Sequence, residues 1–329
     1  MKIKNLVSAF AAAAVLLAPG INANAQTPRP EYPRPQFERA EWVNLNGTWS
    51  YSFDFGRTGA QKGWSKATSF DGKITVPFCP ESSLSGVKHT DFINSIWYQR
   101  TLNIPAAWDG KQVMLNFGAV DYEAHVFIDG QLVRLHNGTG SSFSCDITKY
   151  VQPGHSHNLV VQVNDNLRDG KQPGGKQCFD LNSGGCMYTR VTGIWQTVWM
   201  EAVDKEGLKS VFATPDIDQK QLVIRPQFYA ENAANKLVVT LYDGNKAVAK
   251  TSVTCGDNSV VVLPVKNMKL WSPESPFLYG LKYQVVKNGK VIDEVNSYAG
   301  MRKVHLAGGY FYLNNKPYYQ RLVRDQGYS

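Results

Sequence analysis

Beyond its first 25 residues, the 329-residue chain has no apolar run long enough to span a bilayer as a helix. It also has no long segment of helical periodicity, which excludes a helix bundle or a coiled coil. No Cys-x-x-Cys pair occurs, so a zinc ribbon has no ligand set. No Lys/Arg cluster interleaved with aromatics stands out, which argues against a nucleic-acid partner. His155-x-His157 is the one close histidine pair. It sits beside Pro153-Gly154, in an expected turn, without neighbouring ligands. Neither a metal nor a cofactor is therefore expected.

What is present begins with an export signal. Lys2 and Lys4 form a positive n-region, Leu6 to Leu17 is a short apolar run, and Ala23-Asn24-Ala25 places small residues before Gln26. This pattern predicts a signal peptide over residues 1–25 and a periplasmic or secreted mature chain. The alternative, a short membrane helix, fits poorly with a run that ends at Pro19-Gly20. No Cys follows the run, which argues against a lipid anchor. The formal net charge of +8 falls to +6 once the signal is removed. Such a mild excess fits a solvated surface better than an acidic polymer partner. Cys79, Cys145, Cys178, Cys186 and Cys255 are odd in number, so an oxidising compartment leaves at least one free thiol. Cys178 and Cys186 are close enough in sequence to close a loop; the alternative is that most of the five are buried small hydrophobes.

Period-two alternation dominates the rest. Val113, Leu115 and Phe117 alternate with Gln112, Met114 and Asn116; Leu159, Val161 and Val163 repeat the pattern, as do Leu237, Val239 and Leu241. Turn dipeptides separate such runs: Asp129-Gly130 after Ile128, Asp243-Gly244, and Asn288-Gly289 after Val285. Short strands at regular spacing predict β-sandwiches. The expected division is an extended Pro-rich arm over 26–38, a first sandwich over 39–204 and a second over 205–304, with Asp204-Lys205-Glu206-Gly207 marking the boundary. Residues 305–329 start a new unit. Phe311 and Leu313 enter a turn at Asn314-Asn315, Tyr318 leaves it, and Gln320 to Val323 is expected to begin a strand with no partner following.

Six motifs occur in order. They are Trp42 to Trp49, Val76-Pro77-Phe78 with Trp97 to Arg100, and Phe117 to Glu123 leading to Val126–Gly130. Then come Thr192 to Trp199, Leu270 to Glu274 with Pro276 to Tyr279, and Phe311 to Pro317 with Arg321 to Tyr328. Together they resemble family 2 glycoside hydrolases, the group of β-galactosidases, β-glucuronidases and β-mannosidases. The resemblance implies an all-β chain: a jelly-roll sugar-binding β-sandwich followed by an immunoglobulin-like β-sandwich, with the first strands of a (β/α)8 barrel at the C-terminus. It implies retaining hydrolysis of terminal β-linked sugars by two glutamates about 5–5.5 Å apart. Both belong to late barrel strands, so neither catalytic glutamate is expected within these 329 residues, and the chain alone is expected to be inactive. Glu38, Glu41, Glu81 and Glu123 fall in β-domain motifs, where salt bridges or strand-end contacts are their expected use.

In the family, a jelly-roll loop reaches over the barrel mouth and touches the terminal sugar. The matching region is Asp165 to Arg190, where Asp169, Lys176, Gln177, Tyr188 and Arg190 have chemistry that suits a sugar. The alternative is a surface loop in which Arg190 is a structural ion-pair partner. Some family branches place an acidic residue six positions before the closing-strand Gly. Met187 stands there, so that contact is missing or falls to Asp180 or Asp169, which weighs against the usual galactosidase and glucuronidase assignments. Asp325 is a further candidate, because barrel sites form at the C-terminal ends of strands. Two other readings remain. One is a stand-alone carbohydrate-binding module with an aromatic platform that includes Trp64 or Trp108. The other is a set of docking surfaces for a barrel and for further copies in a homo-oligomer.

Overall fold

The computed structural model describes residues 27–256 and 258–323. The signal-peptide assignment and Asp325 lie outside the described residues. The chain is built almost entirely of antiparallel strands. Among the described residues no helix is long and apolar enough to cross a membrane.

The first sandwich packs a six-stranded sheet against a four-stranded one. The larger sheet runs in the order Gly72–Val76, Gly47–Phe53, Ser95–Asn103, Ser156–Asn164, Glu123–Ile128, Gln131–Asn137. The smaller runs Trp42–Asn44, Val198–Val203, Gln112–Phe117, Phe143–Asp146. Alternation places Leu115, Phe117, Val126, Ile128, Leu159, Val161 and Val163 in one core with Trp49, Tyr98 and Trp108. Each such burial removes apolar surface worth roughly 1.5–3 kcal/mol from water. The turns behave as their residues require: Asp129 and Gly130 both take positive φ, as do Asn288 and Gly289.

One strand departs from its pattern. Met114 and Asn116, which alternate with the core residues Val113, Leu115 and Phe117 along Gln112–Phe117, are buried as well. They share that face with Glu201 and Trp199, their cross-strand partners. The Pro-rich arm covers it. Tyr32 packs edge-on against Trp42 with ring centroids 5.1 Å apart, and the Arg34 guanidinium sits over Trp199 at 5.5 Å.

The second sandwich pairs a three-stranded sheet (Leu208–Asp216, Gln221–Phe228, Val261–Pro264) with a four-stranded one. The latter runs Lys246–Cys255, Asn232–Asp243, Tyr279–Lys287, Lys290–Ala299. Leu237, Val239, Leu241, Tyr279, Leu281, Tyr283 and Val285 fill its core. The arm ties this sandwich to the first. Glu38 and Asn296 exchange two backbone hydrogen bonds of 2.8 Å, and the Ser297 hydroxyl donates to Gln36 O at 2.6 Å. A small sheet of Val304–Ala307, Tyr310–Leu313 and Lys316–Pro317 follows. It carries the expected turn, with Asn314 and Asn315 at positive φ. The strand expected at 320–323 does not form, since Leu322 and Val323 are exposed and meet no neighbouring strand among the described residues.

Candidate substrate-facing loop and its buried footing

The polar segment from Asp165 to Thr192 crosses the end of the jelly roll between the strands Ser156–Asn164 and Gly193–Ile194. It doubles back on itself. Cys178 N donates to Tyr188 O at 2.9 Å and Tyr188 N to Lys176 O at 2.8 Å, making a narrow neck below residues 179–187. Gly193 closes the segment. Its φ of +79° is left-handed, and a Cβ there would lie 2.0 Å from the Tyr98 hydroxyl oxygen, so only glycine fits.

The candidate residues separate into two groups. Tyr188 is 57% exposed, and the Lys176 ammonium lies 5.9 Å from its ring centroid. Tyr188 presents the exposed face, with the half-buried Lys176 beside it. Asp169, also at the surface, is occupied with its own turn: it accepts from Lys171 N at 2.9 Å and from the Asn166 side chain at 3.3 Å. Gln177 and Arg190 point inward. Gln177 is completely buried; it donates to Asp121 Oδ2 and accepts from Val191 N, both at 2.8 Å. Arg190 is 4% exposed and directs its guanidinium at the carbonyls of Cys178, Asp180, Leu181 and Thr90. The Phe92 ring lies between Arg190 and Arg168, whose guanidinium carbons are 4.0 and 3.7 Å from its centroid. A recess of about 160 Å3 opens there between Phe55, Asn94, Asp165 and Arg168.

Beneath the loop lie three carboxyls from three distant parts of the chain. Glu81 is 7% exposed and accepts from Thr192 N at 3.2 Å. Of the two expected uses, salt bridge or strand-end contact, Glu81 takes the second, at the start of the strand Gly193–Ile194, and makes no salt bridge among the described residues. Glu41 and Glu123 follow the expectation, pairing with Lys111 at 2.5 Å and His125 at 2.8 Å. Asp121, 2% exposed, holds Gln177. Asp165 accepts from the Gln172 amide at 2.7 Å and the Thr192 hydroxyl at 3.0 Å. Burial pushes Glu81 up to about 7. Burial and then the Asp165 charge push Asp121 up to about 8, although the Gln177 hydrogen bond opposes this. Asp165 is raised by burial too, against the pull of Gln172, Thr192 and the Arg190 charge. Glu81 and Asp121 were hard to foresee: one sits in a turn and the other at the end of a two-residue strand, and their convergence depends on residues 40–111 positions away.

Elsewhere the structure removes two candidates. Trp108 is buried in the core, and Trp64 packs on Phe70 and Trp97, so neither forms an exposed platform. His157 accepts from Gln152 N at 2.8 Å and pairs with Asp129 at 2.6 Å. The five cysteines are free: Cys178 donates to Asn182 O while Cys186 is exposed.

Residues 42–200 match the pattern "Glycosyl hydrolases family 2, sugar binding domain", and residues 207–302 match "Glycosyl hydrolases family 2". The chain belongs to glycosyl hydrolase family 2. Among its relatives is a β-glucuronidase of Paenibacillus borealis, 24% identical over 303 residues that cover 88% of this chain and 50% of that protein. The β-glucuronidase of Canis lupus familiaris is 26% identical over 320 residues, covering 88% and 48%. A β-galactosidase of Thermoanaerobacter pseudethanolicus is 25% identical over 240 residues, covering 70% and 31%. The fold matches that of a β-glucuronidase from Ruminococcus gnavus solved with D-glucaro-δ-lactam. The TM-score is 0.71 at 22% identity, over 86% of this chain and 49% of that one. This family 2 chain thus spans about half the length of the curated relatives it matches.

Proposed function

We propose that this chain is the sugar-recognising, non-catalytic front part of an exported family 2 glycosidase that removes terminal β-linked sugars. The observation that carries this is the order of two family 2 modules, one sugar-binding, joined directly at residues 200–207. The relatives named as β-glucuronidases and β-galactosidases extend well beyond the matching half. In this reading the chemistry belongs to two barrel glutamates, one protonating the leaving oxygen and one attacking the anomeric carbon. This chain's share is recognition. The exposed Tyr188 ring stacks on sugar C–H groups, Lys176 and Asp169 bond hydroxyls, and Gln177 and Arg190 hold the loop in place. The signal pattern over residues 1–25 supports a periplasmic or secreted location.

A panel of aryl β-glycosides tests the division of labour. The purified 329-residue chain releases no aryl alcohol, whereas a gene product extended through a barrel does. Turnover by the 329-residue chain overturns the proposal. The exposed Tyr188 beside Lys176 also suits a carbohydrate-binding module without hydrolase activity. An extended product that binds glycans but leaves every aryl glycoside intact selects that reading.

A further inference from the structure

Asp121 Oδ1 and Glu81 Oε1 are buried with no hydrogen-bond partner. Each belongs to a carboxyl whose other oxygen holds the loop, through Gln177 and through Thr192 N. A buried carboxylate oxygen without a donor is strongly disfavoured as a charge, and much less so as a neutral acid. Both oxygens are closed off from solvent, so a proton is the ligand that fits them. Asp165 adds a third carboxyl, joined to Glu81 through the two polar atoms of Thr192.

The groups around this cluster decide its charge. From the loop side, the Arg190 charge acts on Asp165, but its hydrogen bonds go to four backbone carbonyls. From the strand Ser95–Asn103, the Tyr98 hydroxyl accepts from Ile194 N and feels Glu81; burial holds that phenol well above its ordinary range, so it stays neutral. Tyr51, on Gly47–Phe53, acts on Tyr98 in turn. Ahead of Glu81, burial and then the Glu81 charge push the Cys79 thiol up to about 12, so it is neutral as well; its weak S–H donor, facing Glu81, opposes the effect of burial on that carboxyl without outweighing it. Three acids therefore face one guanidinium, and they cannot all ionise in a space closed to water.

We infer that Glu81, Asp121 and Asp165 form a proton-dependent clasp that fastens the 165–192 loop when the cluster is protonated and releases it as the cluster ionises. Opening the loop exposes the acids to water, where their ordinary values near 4 return. The closed state therefore binds more protons than the open one. The clasp is complete at acid pH, and opening grows as pH rises from about 4 through 7 and 8, by up to tenfold per pH unit for each proton released. The consequence for sugar recognition rests on the loop facing substrate, as proposed above; the clasp itself does not.

Amide hydrogen exchange on the full chain, without sugar, tests the clasp alone. After correction for intrinsic rates, the Val191 and Thr192 amides lose at least about tenfold protection between pH 5.5 and 8.0, while Val161 in the core does not. The double variant Glu81→Gln, Asp121→Asn keeps its pH 5.5 protection at pH 8.0. Equal pH dependence in wild type and variant overturns the clasp, as does an equal loss at Val161. If the variant does not fold, infrared difference spectra of the wild-type chain decide. A protonated-carboxyl band that titrates above pH 6 is expected, and no such band refutes the inference.

Discussion

Arg39 and Asp293 face each other through two parallel hydrogen bonds of 2.9 Å, Nε to Oδ1 and Nη2 to Oδ2. The pair is buried where the two sandwiches meet. Asp293 also accepts from Leu208 N at 2.8 Å, and Arg39 Nη1 lies 3.8 Å from Glu201, which accepts from Tyr32 and Arg34. Two cations and two anions thus balance inside the joint. Arg39→Met leaves Asp293 buried without its cation and is expected to cost about 3–5 kcal/mol. Adding Asp293→Leu restores much of that loss. Urea midpoints of the two single variants and the double variant check it, and a fully additive double variant denies the coupling.

Gly193→Ala tests the closing strand. A methyl group there meets the Tyr98 hydroxyl and adopts a left-handed φ. The expected cost is about 2–4 kcal/mol in thermal or urea unfolding. Tyr98→Phe in the same chain recovers part of it by removing the oxygen in the way.

The loop residues divide by role, and mutation separates them. Gln177→Leu strands Asp121 Oδ2 and Val191 N, costing about 2–4 kcal/mol for two lost partners. Tyr188→Ala leaves the unfolding midpoint within about 0.5 kcal/mol yet weakens glycan binding. Calorimetric titration alongside unfolding scans reads both. A Tyr188→Ala chain that binds glycan as wild type does rules Tyr188 out as a contact.

Thiol reactivity follows burial. Cys186 is exposed, whereas burial pushes Cys145 up to about 12 and Cys255 up to about 11. An aromatic disulfide reagent at pH 8 therefore labels one thiol per chain rapidly, and Cys186→Ser abolishes that phase. The remaining thiols react only in denaturant. Several rapid thiols in the folded chain contradict the packing around Cys145 and Cys255.

What was legible in the sequence was local. Runs such as Leu159, Val161, Val163 became core strands because alternation is a property of neighbouring residues. Asp129-Gly130 and Asn288-Gly289 announced hairpins for the same reason. The buried face of Gln112–Phe117 was not legible, since a segment some 80 residues earlier covers it. Nor was the footing of the loop. The long polar segment identified the region, and its composition suggested sugar contacts for Gln177 and Arg190. Their direction depends on Asp121 and on four carbonyls brought together by folding, which composition does not encode.

The Pro-rich arm makes assembly directional. Glu38 leaves the ribosome long before Asn296, its backbone partner, and Arg39 waits 254 residues for Asp293. Closing so long a span is slow compared with forming a hairpin. Tyr32 and Arg34 close over Met114 and Asn116 through Trp42, Trp199 and Glu201, all within the first sandwich, whereas residues 36–39 gain Ser297, Asn296 and Asp293 only once the second sandwich exists. A chain halted before residue 293 leaves the Arg39 guanidinium without Asp293, so the joint between the sandwiches is the last part of the molecule to balance its charges.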